Sequence, residues 1–197
     1  MAFESKHKKR GSTLTLVVML LVLVALVAAI ILWPVEAKAA PQPVTTEQDD
    51  LEQTTLIHAG DMAPDFAVEM LDGSKLTLSE LKGKPVLLIF WATWCPPCRQ
   101  ELSHLQADVI DHFGDKITVL PISRGETRNT VEGFIAKTKY TFPIGLDEDK
   151  AIYSKYATNY VPRSFVIDGE GRVAYVAVGY DEEIAKEVKL SIENLLR

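Results

Sequence analysis

The feature that most narrows the folds open to this chain is a junction. The run "PVLLIFW" (85–91) carries no charge and has the length of a strand, and an uninterrupted apolar run of that length is what a strand covered on both faces requires. It passes through "ATW" into "CPPC", where the chain's only two cysteines, Cys95 and Cys98, stand three apart. Beyond them Leu102, Leu105, Val109, Ile110 and Phe113 recur at three- and four-residue steps. That spacing predicts an amphipathic helix over 96–113, stopped by Gly114. A covered strand feeding a helix is the βα unit of a layered α/β sheet.

The flanking segments extend that sheet. "PDFAVEMLDGSKLTLSEL" alternates Phe66, Val68 and Met70, turns at Asp72-Gly73 and resumes with Leu76 and Leu78, which predicts a β-hairpin. Ser79 is placed to cap a short helical turn ending at Gly83. "KITVLPIS" (116–123) reads as the next strand, and 128–139 as a helix, with Asn129 and Glu132 at capping-box spacing. A short strand around 142–146, a helix around 149–157, the strand "SFVID" (164–168), a "DGEG" turn and the strand "RVAYVAVG" (172–179) follow. A last helix is capped by Asp181 and buries Ile184, Val188 and Ile192. The order predicts a mixed sheet with helices on both faces, an N-terminal β-hairpin and a central βα insertion.

Before the domain lies a different kind of sequence. Residues 13–33 hold no charge, and their only polar members are Thr13 and Thr15. Twenty such residues make roughly 30 Å of helix, the thickness of a bilayer's hydrocarbon core. The expectation is a transmembrane signal anchor in contact with the lipid bilayer; the alternative is a signal peptide cleaved after Ala39. Lys6, Lys8, Lys9 and Arg10 precede the span, whereas Lys38 is the only Lys or Arg in 34–58, so the N-terminus is expected in the cytoplasm and the rest on the outer face. The organisation read here is a basic tail over 1–12, the span over 13–33, a flexible linker over 34–58 rich in Pro, Thr, Gln and acids, and a globular domain over 59–197. A net charge of −6 and a pI near 5.3 point away from a nucleic-acid partner, which needs a basic face.

Three readings of the cysteine pair compete. A metal site wants about four ligands, and His7, His58, His104 and His112 sit at unrelated spacings, so no metal is expected. A structural disulfide stabilises mainly by closing a long loop, and this one closes a short one. The redox reading accounts for more of the neighbourhood. Cys95 stands just before a helix whose free N–H groups and dipole favour a thiolate, which lowers a cysteine pKa from about 8.5 into the range of roughly 3.5 to 7.5. Pro96 and Pro97 fit the first turn, where an N–H has no intrahelical partner to lose. Cys98 lies one turn on and on the same face, placed to attack a mixed disulfide formed at Cys95. Trp91 and Trp94 are candidates to wall the site, with a plain core role as the alternative for Trp91.

On this junction "FWATWCPPC", with "PDF", "DGSKLTLSELKGKPVLLIFWATWCPPCRQE" and "YVPRSFVIDGEGRV", resembles the thioredoxin superfamily, and more narrowly the membrane-anchored TlpA/ResA-like (redoxin-type) thiol-disulfide oxidoreductases, from about Gly60 to the C-terminus. The resemblance implies a thioredoxin-like α/β fold and dithiol–disulfide exchange with protein clients outside the cytoplasm, commonly apocytochromes c kept reduced for haem attachment. It implies a membrane electron-transfer protein as reductant and no cofactor beyond the Cys95–Cys98 pair. Val161-Pro162 matches the family's cis-proline loop, with the Val161 backbone pairing a substrate strand; Trp94, Pro96 and Pro97 complete the substrate-binding set. Glu101 matches the family's acid after the CxxC, a proton acceptor for the inner thiol, with an exposed dipole-favoured acid as its alternative. Two departures stand out. Ile89 takes the place of the buried aspartate of many thioredoxins, and Arg163 follows the proline where a small polar residue is usual, which biases docking toward acidic partners or is simply solvated. The rival functions are a thiol oxidant that donates disulfides, a thioredoxin-fold peroxidase and a non-catalytic binding module. The peroxidase would need Pro and Thr where this chain has Leu88 and Ala92.

Overall fold

The computed structural model describes residues 12–31 and 47–197. They fall into two units, within 1–44 and 45–197. In the first, α1 (Ser12–Ile31) is a 20-residue helix with no acid or base in its terminal turns. Side chains are described only for 16–24 and 26–28, and among the described residues no helix is long and apolar enough to cross a membrane. The expected basic tail, Trp33 at the end of the expected span, the site after Ala39 and most of the expected linker lie outside the described residues.

In the second unit one seven-stranded sheet has the order β2-β1-β5-β4-β3-β6-β7. Its strands are β1 (Ala67–Met70), β2 (Lys75–Thr77), β3 (Val86–Trp91), β4 (Thr118–Arg124), β5 (Gly145–Asp147), β6 (Arg163–Ile167) and β7 (Val173–Val178). β3 and β5 run parallel to β4, and the other pairings are antiparallel. The hairpin reaches the core through the insertion strand, since β1 pairs with β5.

All six residues of β3 are buried. Strand alternation sends Leu87, Ile89 and Trp91 into one core with Leu102, Leu105, Val188 and Ile192, and Val86, Leu88 and Phe90 into the other with Tyr153, Tyr156 and Phe165. Each such side chain contributes about 1.5–3 kcal/mol by leaving water. The first face is covered by α3 (Pro96–Leu105), α5 (Arg128–Thr138) and α6 (Glu182–Leu195). The second is covered by 3₁₀ turns at Leu78–Leu81 and Tyr153–Lys155, the latter inside the stretch where a helix over 149–157 was expected.

The structure moves several local features. α3 continues through a π turn, Gln106–Ile110, into α4 (Asp111–Phe113), and Gln106 spans the wide turn by donating to Asp111 at 2.7 Å. Gly114, at φ 59°, ends it as expected. Thr127, not Asn129, caps α5 by accepting from the Thr130 N–H. Ser79 caps nothing: its hydroxyl and N–H both go to the Asp65 carboxylate, at 2.8 and 2.9 Å, and these bonds hold that carboxyl below its ordinary value.

The linker expected over 34–58 ends earlier than expected. Glu47–Gln53 form α2, Thr55 makes a β-bridge to Ala157, the Leu56 N–H donates to the Tyr156 carbonyl at 3.0 Å, and the Thr158 N–H donates to the Thr54 carbonyl at 2.9 Å. Polar composition suggested a tether because it has no periodicity to bury. The segment is held instead by main-chain bonds and hydroxyls.

Candidate active site

The cysteines sit where β3 hands the chain to α3. Cys95 is the N-cap residue of α3, with Pro96 and Pro97 in the first turn and φ −89°, ψ 112° at the cap. Its Sγ accepts from the Cys98 N–H at 3.2 Å, so one of the helix's free donors is already aimed at the sulfur where a thiolate would form. The two residues form a disulfide, with their Cα atoms 5.3 Å apart, and both are almost wholly buried. Trp94, immediately before them, is 61% exposed. Pro96 is exposed and Pro97 half-buried. Trp91 is fully buried, 5.5 Å from the Phe134 ring, in the core that also holds both cysteines.

The loop before β6 meets the sulfurs from the other side. The Val161–Pro162 peptide is cis, and the Val161 carbonyl lies 3.4 Å from Cys95 Sγ. Sequence reading thus brought together the four residues that meet here, Cys95, Cys98, Val161 and Pro162.

Glu101 stands one turn beyond Cys98 and is 8% exposed, so the exposed-acid alternative fails. Ser164 Oγ donates to its Oε1 at 2.8 Å, while its Oε2 has no partner among the described residues. Burial pushes the carboxyl up from 4.5 to about 7, and the Ser164 bond opposes that only in part. Ser164 is the β6 partner of Ile89 in the sheet register. Where many thioredoxins have an aspartate on the strand, this chain brings a carboxylate to the neighbouring strand from the helix.

Two supports escaped sequence reading. Glu126, just past the end of β4, is buried and accepts from the Thr93 N–H at 2.8 Å, the Thr93 hydroxyl at 2.5 Å and the Ser123 hydroxyl at 2.9 Å. It therefore fixes the backbone two residues before Cys95. The available signal was an acid at the carboxyl end of the strand beside β3, the end at which open α/β sheets build their sites. The other is Arg163, read as a docking or solvated side chain. It is fully buried and donates to Thr55 Oγ1 at 2.5 Å, Thr54 Oγ1 at 3.0 Å and the Asn159 carbonyl at 3.0 Å. Burial pulls its pKa below the ordinary arginine value.

A pair of sulfurs joined at a helix cap, faced by a cis-proline peptide and with a buried acid one turn further along the helix, defines a thiol-disulfide oxidoreductase on a thioredoxin-like fold. Comparison with known proteins narrows this. Residues 59–176 match the AhpC/TSA family, to which the chain belongs. It is 36% identical over 124 residues to the thiol-disulfide oxidoreductase ResA of Bacillus subtilis, covering 62% of this chain and 69% of that protein. It is 35% identical over 140 residues to the thioredoxin-like protein YneN of the same organism, covering 70% and 81%. Among solved structures, a protein assigned as a disulfide isomerase from Bacteroides thetaiotaomicron superposes with a TM-score of 0.68 at 35% identity, covering 73% of this chain and 94% of that one.

Proposed function

We propose that the protein is an extracytoplasmic disulfide reductase, held at the membrane by residues 13–33 and acting on protein clients such as apocytochrome c before haem attachment. The observation that carries the reading is the placement of Cys95 Sγ, capped by the Cys98 N–H and faced by the Val161 carbonyl. In the reduced enzyme Cys95 thiolate attacks a client disulfide, forming a mixed disulfide and releasing one client thiolate. Cys98, its proton passed to Glu101 or water, then attacks Cys95 Sγ, and the second client thiolate leaves. The client gains two electrons and the Cys95–Cys98 disulfide is regenerated, to be re-reduced by a membrane electron-transfer dithiol. A carboxyl titrating at about 7 suits proton acceptance near neutral pH.

The anchor rests on the charge-free run over 13–33 and its basic N-terminal flank. An anchor raises the effective concentration of membrane-bound clients and reductant.

The deciding experiment is the reduction potential of the Cys95–Cys98 pair in the full chain, by equilibration with glutathione or dithiothreitol. A value near or below about −270 mV supports a reductant, whereas one near about −120 mV makes the protein a disulfide donor and removes the cytochrome reading. Role assignment is tested separately: Cys95→Ser abolishes exchange and Cys98→Ser accumulates mixed disulfides, so equal trapping by both variants contradicts the order of attack.

A further inference from the structure

Arg163 follows the cis-proline directly and is fully buried, yet no carboxylate among the described residues bonds it. A guanidinium stays charged in proteins and is costly to bury unless its donors are met. Three neutral oxygens meet them here, while its Nε finds no partner among the described residues.

Where those oxygens come from is the informative point. Thr54 and Thr55 belong to the Glu47–His58 segment, which precedes the family match beginning at residue 59. Asn159 belongs to the loop that carries Val161. The same loop holds Tyr160 at φ 68°, a left-handed conformation that a tyrosine keeps only when its surroundings impose it. One restraint is the Tyr153 hydroxyl, donating to the Tyr160 carbonyl at 2.7 Å. The other is Arg163 on the Asn159 carbonyl. The guanidinium therefore ties the segment before the family domain to the loop that faces the sulfurs.

We propose that residues 47–58 are a strap that sets the client-docking loop: the Thr54 and Thr55 hydroxyls hold Arg163, Arg163 holds Asn159, and all three side chains are positioning residues for recognition of protein clients. The inference rests on the reading of Val161 as the edge on which a client strand docks. Without the hydroxyls, Arg163 turns to other acceptors, Asn159 and Tyr160 relax, and Val161 is presented correctly for only part of the time. A partner that docks along this edge loses affinity in proportion to that fraction. A small disulfide, which needs only the sulfur, does not.

The test uses the full chain carrying Thr54→Val and Thr55→Val, singly and together, which keep the branched shape and the main-chain bonds, with Thr55→Ser as the conservative control. Insulin serves as the protein disulfide and 5,5′-dithiobis(2-nitrobenzoate) as the small one. Loss of the docked loop to about one-tenth of the population raises KM for insulin about tenfold in the double variant with little change in kcat. Reaction with the small disulfide and the Thr55→Ser kinetics both stay within about twofold of the wild type. Equal losses with both substrates, or an unchanged KM for insulin, overturn the proposal. A wild-type chain that reduces only the small disulfide sinks the client reading instead. The strap is then decided by amide hydrogen exchange at Thr158 and Gly179, whose N–H groups donate to the Thr54 and Pro162 carbonyls: exchange speeds about tenfold in the double variant if the strap holds the loop and is unchanged if it does not.

Discussion

The loop that carries Cys95 and the loop that carries Pro162 approach to 3.4 Å, but they are anchored by opposite chemistry. Behind the cysteines stand two buried acids, Glu126 on Thr93 and Glu101 on Ser164. Behind the proline stand a buried guanidinium and a phenol, Arg163 on Asn159 and Tyr153 on Tyr160. Glu101, raised by burial to about 7, changes charge in the working pH range, whereas arginine and a buried tyrosine do not. The cysteine side thus carries a group that responds to pH through Glu101, and the proline side does not.

The sharpest way to break this contrast is at Glu126. Glu126→Ala leaves the buried Ser123 hydroxyl and the half-buried Thr93 hydroxyl and N–H without their acceptor and lowers the unfolding free energy by about 4 kcal/mol, with Glu126→Gln recovering about half, read by urea denaturation of the disulfide form. A loss under about 1 kcal/mol would show that solvent replaces the carboxylate and that the cysteine loop is not held by it.

Glu101 tests the pH half of the contrast. Because its folded-state pKa lies above its ordinary 4.5, the stability linked to it is fully present below 4.5 and is lost as pH rises through about 7. The gap corresponds to about 3 kcal/mol. Between about pH 5 and pH 8 the wild type should lose about that much relative to Glu101→Gln, whose profile is flat in this window. Parallel profiles would mean that the carboxyl is already ionised at pH 5.

The smallest effect belongs to the proline side. Tyr153→Phe removes one hydrogen bond to the Tyr160 carbonyl and costs about 1 kcal/mol, and this difference is the same at pH 5 and pH 8. A pH-dependent difference would erase the distinction between the two loops.

The sequence exposes these two sides unequally. β3, the CPPC turn, the Asp72-Gly73 hairpin and the Asp181 cap are written in adjacent residues, because run length, proline placement and turn chemistry act over a few positions. Caps misread by two places, Ser79 for Thr77 and Asn129 for Thr127, mark the limit of that locality: several residues nearby offer the same oxygen, and tertiary partners decide which is used. Glu101 was found through the motif and Glu126 was not, although both hold their neighbours by the same chemistry. Arg163 lay further out of reach, because its partner Thr55 is 108 positions away in a segment with no periodicity. Nothing local separates a solvated arginine from one whose acceptors arrive from the other end of the domain.

The bond from Arg163 to Thr54 and Thr55 also has an evolutionary consequence. Arginine at 163 sets the loop only in a lineage that keeps both hydroxyls upstream, and those hydroxyls have little reason to persist once the arginine is gone. The two sites should be inherited as one character, gained and lost together. A graft that takes only residues 59–176 onto another tether would inherit half of it.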